Sequence, residues 1–233
     1  HHASAMVTAP IHKQALELAG IAHPGHTEWL QHLSAQHMGV PISDLPVRMM
    51  LASPELRVVL VSIHVALRQA IDELTTEQVL TTLRITHEAE QARLDRAPRI
   101  ALAGLNPHAG EGGLMGREEI DILQPAVRQA QALGMQVSGP ISPDTVFMRA
   151  RHTPSQKAEF DVVVAIYHDQ GLIPIKYLGV DDGVNLTLGL PLRRTSPDHG
   201  TAFDLAGRGV ASPRSLLAAW RMARLWAQSA AQP

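Results

Sequence analysis

Asp161-VVVAIYHDQ-Gly171 decides how the rest of the chain is read. Its apolar run, Val162 to Ile166, leads into Tyr167-His168-Asp169-Gln170 and then a glycine. A short β-branched run closed by a turn signal suits a strand buried on both faces, as in a parallel sheet. In open α/β sheets ligands bind beyond the carboxyl ends of the strands, which is where the polar tetrad falls. Two other stretches repeat the design. Arg57-VVLVSI-His64 ends an apolar run in a histidine, and Arg99-IALAGLNP-His108 does so through a loop that continues as AGEGG.

The 233 residues suffice for one large core or for two lobes sharing a sheet. A composition 45% hydrophobic and 18% charged is that of a folded globular chain. Lys plus Arg number 20 against 22 Asp plus Glu, and a net charge of −2 argues against nucleic-acid or membrane partners. No apolar run approaches the roughly 20 residues a membrane span requires. The absence of cysteine excludes disulfides and zinc–thiolate sites and is compatible with a reducing, cytoplasmic location. His1-His2 reads as the stub of an expression tag and carries no weight. With 13 histidines, only position can distinguish a functional one.

Along the chain, Ala5-MVTAPIHKQALELA-Gly20 reads as a short strand, a proline turn and a helix. Gly25-His26-Thr27-Glu28 opens another helix, with Thr27 as a candidate cap. A strand at Met49-Met50-Leu51 precedes the first histidine strand. Thr75-Thr76-Glu77-Gln78 has capping-box spacing and opens a helix to about Leu94. After the second histidine strand, residues 116–134 predict a helix interrupted by Pro125 and closed by Gly134. Val137-SGPISPDTVF reads as a strand passing into a loop. Ser212-Pro213 begins a last amphipathic helix to about Ala230. Strands alternating with helices give an α/β protein with a mostly parallel sheet.

Three imidazoles, each ending a buried strand, match the ligand count of an open catalytic metal site. His64, His108 and His168 are therefore candidate ligands; the alternative for each is a loop histidine bonded to backbone. Asp169 is placed to orient a ligand, to accept a substrate hydrogen bond or to bind metal itself. The glycines of Asn106-PHAGEGGLM-Gly116 make a candidate phosphate cradle at a helix start, or an ordinary flexible turn. Lys176, Asn185 and Arg194 together suit a phosphate monoester, with His26 and Thr27 as further donors; solvated charge and helix capping are the alternatives.

Read together, VTAPIHK (Val7–Lys13), GHTE (Gly25–Glu28), NPHAGEGG (Asn106–Gly113), YHDQGLIPIK (Tyr167–Lys176), GVNLTLGLP (Gly183–Pro191) and RTSPDHGTAFDLAGRG (Arg194–Gly209) resemble the 4-hydroxythreonine-4-phosphate dehydrogenase family. The last motif is also similar to the H-G-x-A-x-D-I-A-G loop of isocitrate and isopropylmalate dehydrogenases. The resemblance implies an α/β/α layered, two-lobed subunit like theirs. Residues 8–185 would form the metal, substrate and dimerisation lobe, and residues 186–233 the remainder of an NAD-binding lobe. Family members begin well upstream, with a P-G-E/D-x-x-G-I-G-P-E-like turn that has no counterpart here, so part of that lobe is expected to be absent.

By the same resemblance, His64, His108 and His168 hold one divalent metal, one of them contributed across a homodimer interface. His26, Thr27, Lys176, Asn185 and Arg194 bind the phosphorylated substrate. His199, Gly200, Thr201, Ala202, Asp204 and Gly207 lie around the adenosine half of NAD or NADP. Asp169 and Asp144 are the candidates for proton handling or for gripping the substrate amine. The implied reaction oxidises the C3 hydroxyl of 4-phosphooxy-L-threonine and then decarboxylates the product to 3-amino-2-oxopropyl phosphate, on the route to pyridoxal phosphate. The residues do not choose among Zn, Co, Mg and Mn. Rival readings are a relative acting on 4-phospho-D-threonate or D-erythronate, a non-redox phosphohydrolase, and a non-catalytic fragment.

Overall fold

The computed structural model describes residues 4–179 and 182–228. In chain order its strands are β1 (Met6–Val7), β2 (Arg48–Ala52), β3 (Arg57–Leu60), β4 (Arg99–Ala103), β5 (Gln136–Ile141), β6 (Val162–Ala165), β7 (Val184–Leu188) and β8 (Arg194–Pro197). The helices are α1 (Lys13–Leu18), α2 (His26–Met38), α3 (Leu67–Asp72), α4 (Thr76–Leu94), α5 (Gln124–Ala132), α6 (Pro143–Ala150), α7 (His168–Tyr177) and α8 (Arg214–Gln228). The expected end of the last helix at Ala230 lies outside the described residues. Among those residues, no helix is long and apolar enough to cross a membrane.

Two compact units divide the chain, one of residues 48–179 and one of residues 1–47 with 180–233. They do not follow the functional lobes expected at 8–185 and 186–233. The physical reason is strand pairing: Met6 and Val7 of β1 lie parallel to Arg194 and Thr195 of β8, which ties the opening of the chain to its last quarter.

The continuous unit is an α/β/α layer. Its strands run in the order β2-β3-β6-β4-β5, with β3, β6, β4 and β5 parallel and β2 antiparallel to β3. The β-branched runs form the middle of the sheet, and Val162 to Ala165 have no exposed surface. Val58, Leu60, Ala101, Ala103, Val163 and Ala165 face Val146 and Phe147 of α6 and Leu172 and Ile175 of α7. Val59, Ile100, Leu102, Val162 and Val164 have the opposite parity and are equally buried, so they face the layer containing α4. Burial on both faces is worth about 1.5–3 kcal/mol for each large apolar side chain, which favours continuous apolar runs over alternation.

Local signals explain the helices. The capping box at Thr75 is formed: Gln78 N–H donates to Thr75 Oγ1 at 3.2 Å and Thr75 N–H to Gln78 Oε1 at 3.3 Å. Pro125 lacks the N–H that Asp121 would receive, and a π-helical turn at Glu119–Leu123 precedes α5. The loop expected after Ile141 is instead the helix α6, with Pro143 in its first turn.

In the discontinuous unit, β8 lies between parallel β1 and antiparallel β7. Thr195 Oγ1 donates to the Ala219 carbonyl of α8 at 2.9 Å, so odd-numbered residues of β8 face that helix. Arg194 and Ser196 point to the other face, with their cross-strand neighbours Thr187 and Asn185.

Candidate functional site

The carboxyl ends of β3, β6 and β4 deliver the three expected histidines to one edge of the continuous unit. Pairing between β3 and β6 continues past the strands, through Val61 N–H to Ala165 O at 2.9 Å and Ser62 N–H to Ile166 O at 3.1 Å. His64 and His168 therefore emerge side by side, with ring centroids 5.6 Å apart. His168 Nδ1 lies 2.7 Å from Asp169 Oδ1, which leaves Nε2 for a further partner. Ile63, His64, Val65, Leu67, Tyr167, His168 and Asp169 line a cavity of about 270 Å³. Two facing imidazoles, one oriented by a carboxylate, suit a borderline divalent cation, so this half of the donor set fits a metal.

The third histidine does not join them within the chain. Among the described residues no group of three His, Asp or Glu side chains is placed to hold a metal ion. His108 sits in a turn whose residues 108–112 have φ of 51°, 51°, 75°, 42° and 69°. This left-handed turn contains three residues with a Cβ, at about 1–2 kcal/mol each. Glu119, 1% exposed, holds the turn's entry: its Oε1 accepts Leu105 N–H and Asn106 N–H, both at 2.7 Å. Its Oε2 accepts Asn106 Nδ2 at 2.9 Å. Three bonds to a buried carboxylate, at about 1.5–3 kcal/mol each, are enough to offset the strain. They also occupy the Asn106 amide, the first of the expected phosphate cradle.

Gln170 ties the neighbouring strand ends together. Its Oε1 accepts Ile166 N–H at 2.7 Å and its Nε2 donates to the Gly104 carbonyl at 2.6 Å.

The discontinuous unit gathers most of the expected phosphate set. Arg194 is 6% exposed and donates to Thr8 Oγ1 at 2.8 and 3.1 Å, to Thr187 Oγ1 at 3.1 Å and to Thr27 Oγ1 at 3.4 Å. Thr27 is thus an acceptor for Arg194, while the helix N-cap is Gly25, without a side-chain cap bond. The amides of the first turn of α2 have no intrahelical acceptor and make its start favourable for an anion. Burial lowers the pKa of Arg194, with Glu28 opposing the shift. Burial, and then the charge of Arg194, lower that of His26. Asn185 is half-buried on the same sheet face as Arg194. Lys176 belongs to α7, in the continuous unit.

His199, Gly200, Ala202, Asp204 and Gly207 are exposed or nearly so and Thr201 is half-buried. Ala202 and Gly207 adopt positive φ, 48° and 73°, around a 3-10 turn at Phe203–Leu205. His12 lies against Phe203 with ring centroids 5.0 Å apart. Asp144 is in the first turn of α6, beyond the end of β5, where its Oδ1 accepts Ser142 Oγ at 2.6 Å. It does not line the histidine cavity.

Sequence reasoning does not single out Thr8, Thr187, Glu119 or Gln170. Thr8 and Gln170 stand inside the VTAPIHK and YHDQGLIPIK strings, which is the available signal. Thr187 follows from the alternation of β7, whereas nothing local marks Glu119.

A family model described as pyridoxal phosphate biosynthetic protein PdxA matches residues 1–223. The 4-hydroxythreonine-4-phosphate dehydrogenase of Beijerinckia indica is 55% identical over 212 residues, covering 91% of this chain and 59% of that protein. The crystal structure of the Klebsiella pneumoniae 4-hydroxythreonine-4-phosphate dehydrogenase matches at a TM-score of 0.85 and 45% identity, covering 96% of this chain and 64% of that one. The chain thus spans less than two thirds of the length of either relative. Isocitrate dehydrogenase from Methylococcus capsulatus matches at a TM-score of 0.53 and 16% identity, covering 96% of this chain and 69% of that one. That likeness concerns the fold alone and agrees with the expected architecture.

Proposed function

Because the chain belongs to the family of the pyridoxal phosphate biosynthetic protein PdxA, we propose that it acts in an NAD- and divalent-metal-dependent dehydrogenase of 4-phosphooxy-L-threonine. His26, Thr27, Asn185 and Arg194 grip the phosphate, and Lys176 is assigned to the same ligand by family resemblance. His64 and His168 supply two metal ligands, and His108 the third, across the interface of a cytoplasmic homodimer. What supports this division is the pairing of the His64 and His168 imidazoles, and that among the described residues no three-ligand group forms within one chain. His199 to Ala202, Asp204 and Gly207 contact the adenosine half of the dinucleotide.

A metal held by His64, His108 and His168 would supply Lewis acidity toward the C3 hydroxyl, and a bound dinucleotide would supply the hydride acceptor. The chain's own residues position the substrate for that exchange. Arg194 and the start of α2 anchor the phosphate end and so fix C3 along the substrate. Asp169 orients His168 and is one hydrogen bond from the histidine edge, where it receives the hydroxyl proton. Asp144 is the second candidate, for the substrate amine. In overall balance, C3 loses a hydride and its hydroxyl a proton to give a β-keto acid. Loss of CO2 then gives 3-amino-2-oxopropyl phosphate.

The observation that carries this reading is the buried Arg194 guanidinium, ringed by three threonine hydroxyls at the mouth of α2. The test is NADH formation from 4-phosphooxy-L-threonine, with and without chelator, beside the D-threonate and D-erythronate phosphates. NADH formed only with metal and preferentially from the L-threonine compound is expected. Chelator-insensitive turnover would remove the metal from the reaction, and preference for a D-compound would replace the substrate. Phosphate release without NADH would indicate a hydrolase.

A further inference from the structure

Resting on the reading of His108 as a metal ligand, we infer that Glu119 is a positioning residue that sets the geometry of the His108 turn and, through it, metal affinity. Glu119 does not line the histidine cavity. Its carboxylate is instead surrounded by the turn. Leu105 and Asn106 bind it on the entering side, and a Cβ on Gly110 would come within 2.7 Å of its Oε2. A Cβ on Gly104 would lie 3.3 Å from its Oε1 and 3.0 Å from Ala109 Cα, so chain and carboxylate are packed without slack. Glu118 shares the Asn106 amide at 2.7 Å, and the π-helical turn that begins at Glu119 supports the pair.

Five successive left-handed residues are not a conformation that an unsupported L-chain keeps. The imidazole of His108 leaves the backbone at the first of them. Its direction therefore depends on what holds residues 105 and 106, which is chiefly Glu119, with Glu118 sharing the Asn106 side chain. The role is that of a group supporting a metal ligand from outside the coordination sphere, with the turn's backbone as the intermediary.

The test compares wild type, Glu119→Gln and His108→Ala by hydrogen exchange, by Zn²⁺ and Co²⁺ titration and by urea unfolding. The Glu119→Gln side chain keeps the shape but replaces one carboxylate oxygen with an amide NH2 and removes the charge. Exchange of residues 105–113 is expected to rise at least about tenfold. Metal affinity is expected to fall about 10- to 100-fold, the range for loss of an outer support. The same direction is expected for His108→Ala. Unchanged metal affinity in Glu119→Gln, with affinity lost in His108→Ala, would overturn the inference and leave the metal reading standing. Equal affinity in wild type and His108→Ala would instead remove His108 as a ligand. Should Glu119→Gln fail to fold, Asn106→Leu removes only the amide shared with Glu118 and Glu119. It must then show faster exchange of the turn and weaker metal binding, and wild-type behaviour in both would refute the inference.

Discussion

Replacing Arg194 by lysine probes the phosphate reading most directly. The guanidinium reaches hydroxyls on three separate segments at once: Thr8 beyond β1, Thr27 in α2 and Thr187 in β7. A lysine keeps the charge but presents a single compact ammonium, which cannot span those hydroxyls and also offer a two-pronged contact to a phosphate. Losing one charge-assisted contact removes about 2–3 kcal/mol of binding, or roughly 30- to 160-fold in affinity. Arg194 already bears the penalty of burial as a cation, so an arriving dianion relieves an unfavourable state. Phosphate at 100 times its Kd should stabilise the wild type by about 2.7 kcal/mol, a rise in Tm of about 5–10 °C. At the same concentration the variant, binding roughly 30- to 160-fold more weakly, should gain only about 0.3–0.9 kcal/mol, a rise of about 0.6–3.5 °C. The assays are calorimetric titration with inorganic phosphate and 4-phosphooxy-L-threonine, and thermal unfolding with and without phosphate. Phosphate affinity unchanged within threefold would refute the reasoning. So would an equal loss for the unphosphorylated substrate analogue, because the effect would then not lie at the phosphate.

Three further outcomes are expected. Burial and Arg194 hold the His26 pKa below its ordinary value in the free protein, and a bound dianion raises it; binding then takes up a proton, and phosphate affinity should increase as pH falls from about 7.5 to 6. His26→Gln should flatten that dependence. Glu90, 2% exposed at its side chain, holds both Arg57 and Arg93, so Glu90→Gln removes the buried carboxylate charge that both guanidinium groups face. Urea unfolding should show a loss of about 3–5 kcal/mol, and a loss under about 1 kcal/mol would show the triad to be solvated. Burial opposes ionisation of Asp161, but hydrogen bonds from Arg96 and Arg99 together outweigh it and hold its pKa well below the ordinary carboxylate range. A depressed folded-state pKa contributes stability above the unfolded value near 3.9 and loses it as pH falls towards the folded one. The stability gap between wild type and Asp161→Asn should therefore be constant above about pH 5 and shrink below about pH 4.

The continuous unit is readable because its signals are local. A doubly buried parallel strand must be apolar at every position, and β3, β4 and β6 each announce themselves within a few residues of the histidine that follows. The capping box of α4 and the break at Pro125 are equally short-range. What escapes detection depends on distant partners. β1 is two residues long and exists as a strand because of β8, nearly the whole chain away. The change of Thr27 from cap to acceptor depends on the same strand, because Arg194 reaches it from β8. Glu119 looks like one acid among several in REEID, and only the turn folded around it sets it apart. Convergence of three imidazoles is also beyond the pattern: equal strand ends predict a shared edge, but His108 follows β4 only through a loop and stands at the start of a left-handed turn.

The pairing of β1 with β8 has a consequence for synthesis on the ribosome. Residues 48–179 are contiguous and can collapse as soon as they leave the exit tunnel. Met6 and Val7 are translated before that unit, but among the described strands their partner is β8, so this pairing waits until Arg194 and Thr195 have emerged. The unit holding Arg194 therefore completes its β1–β8 pairing only after residues 48–179 have been made.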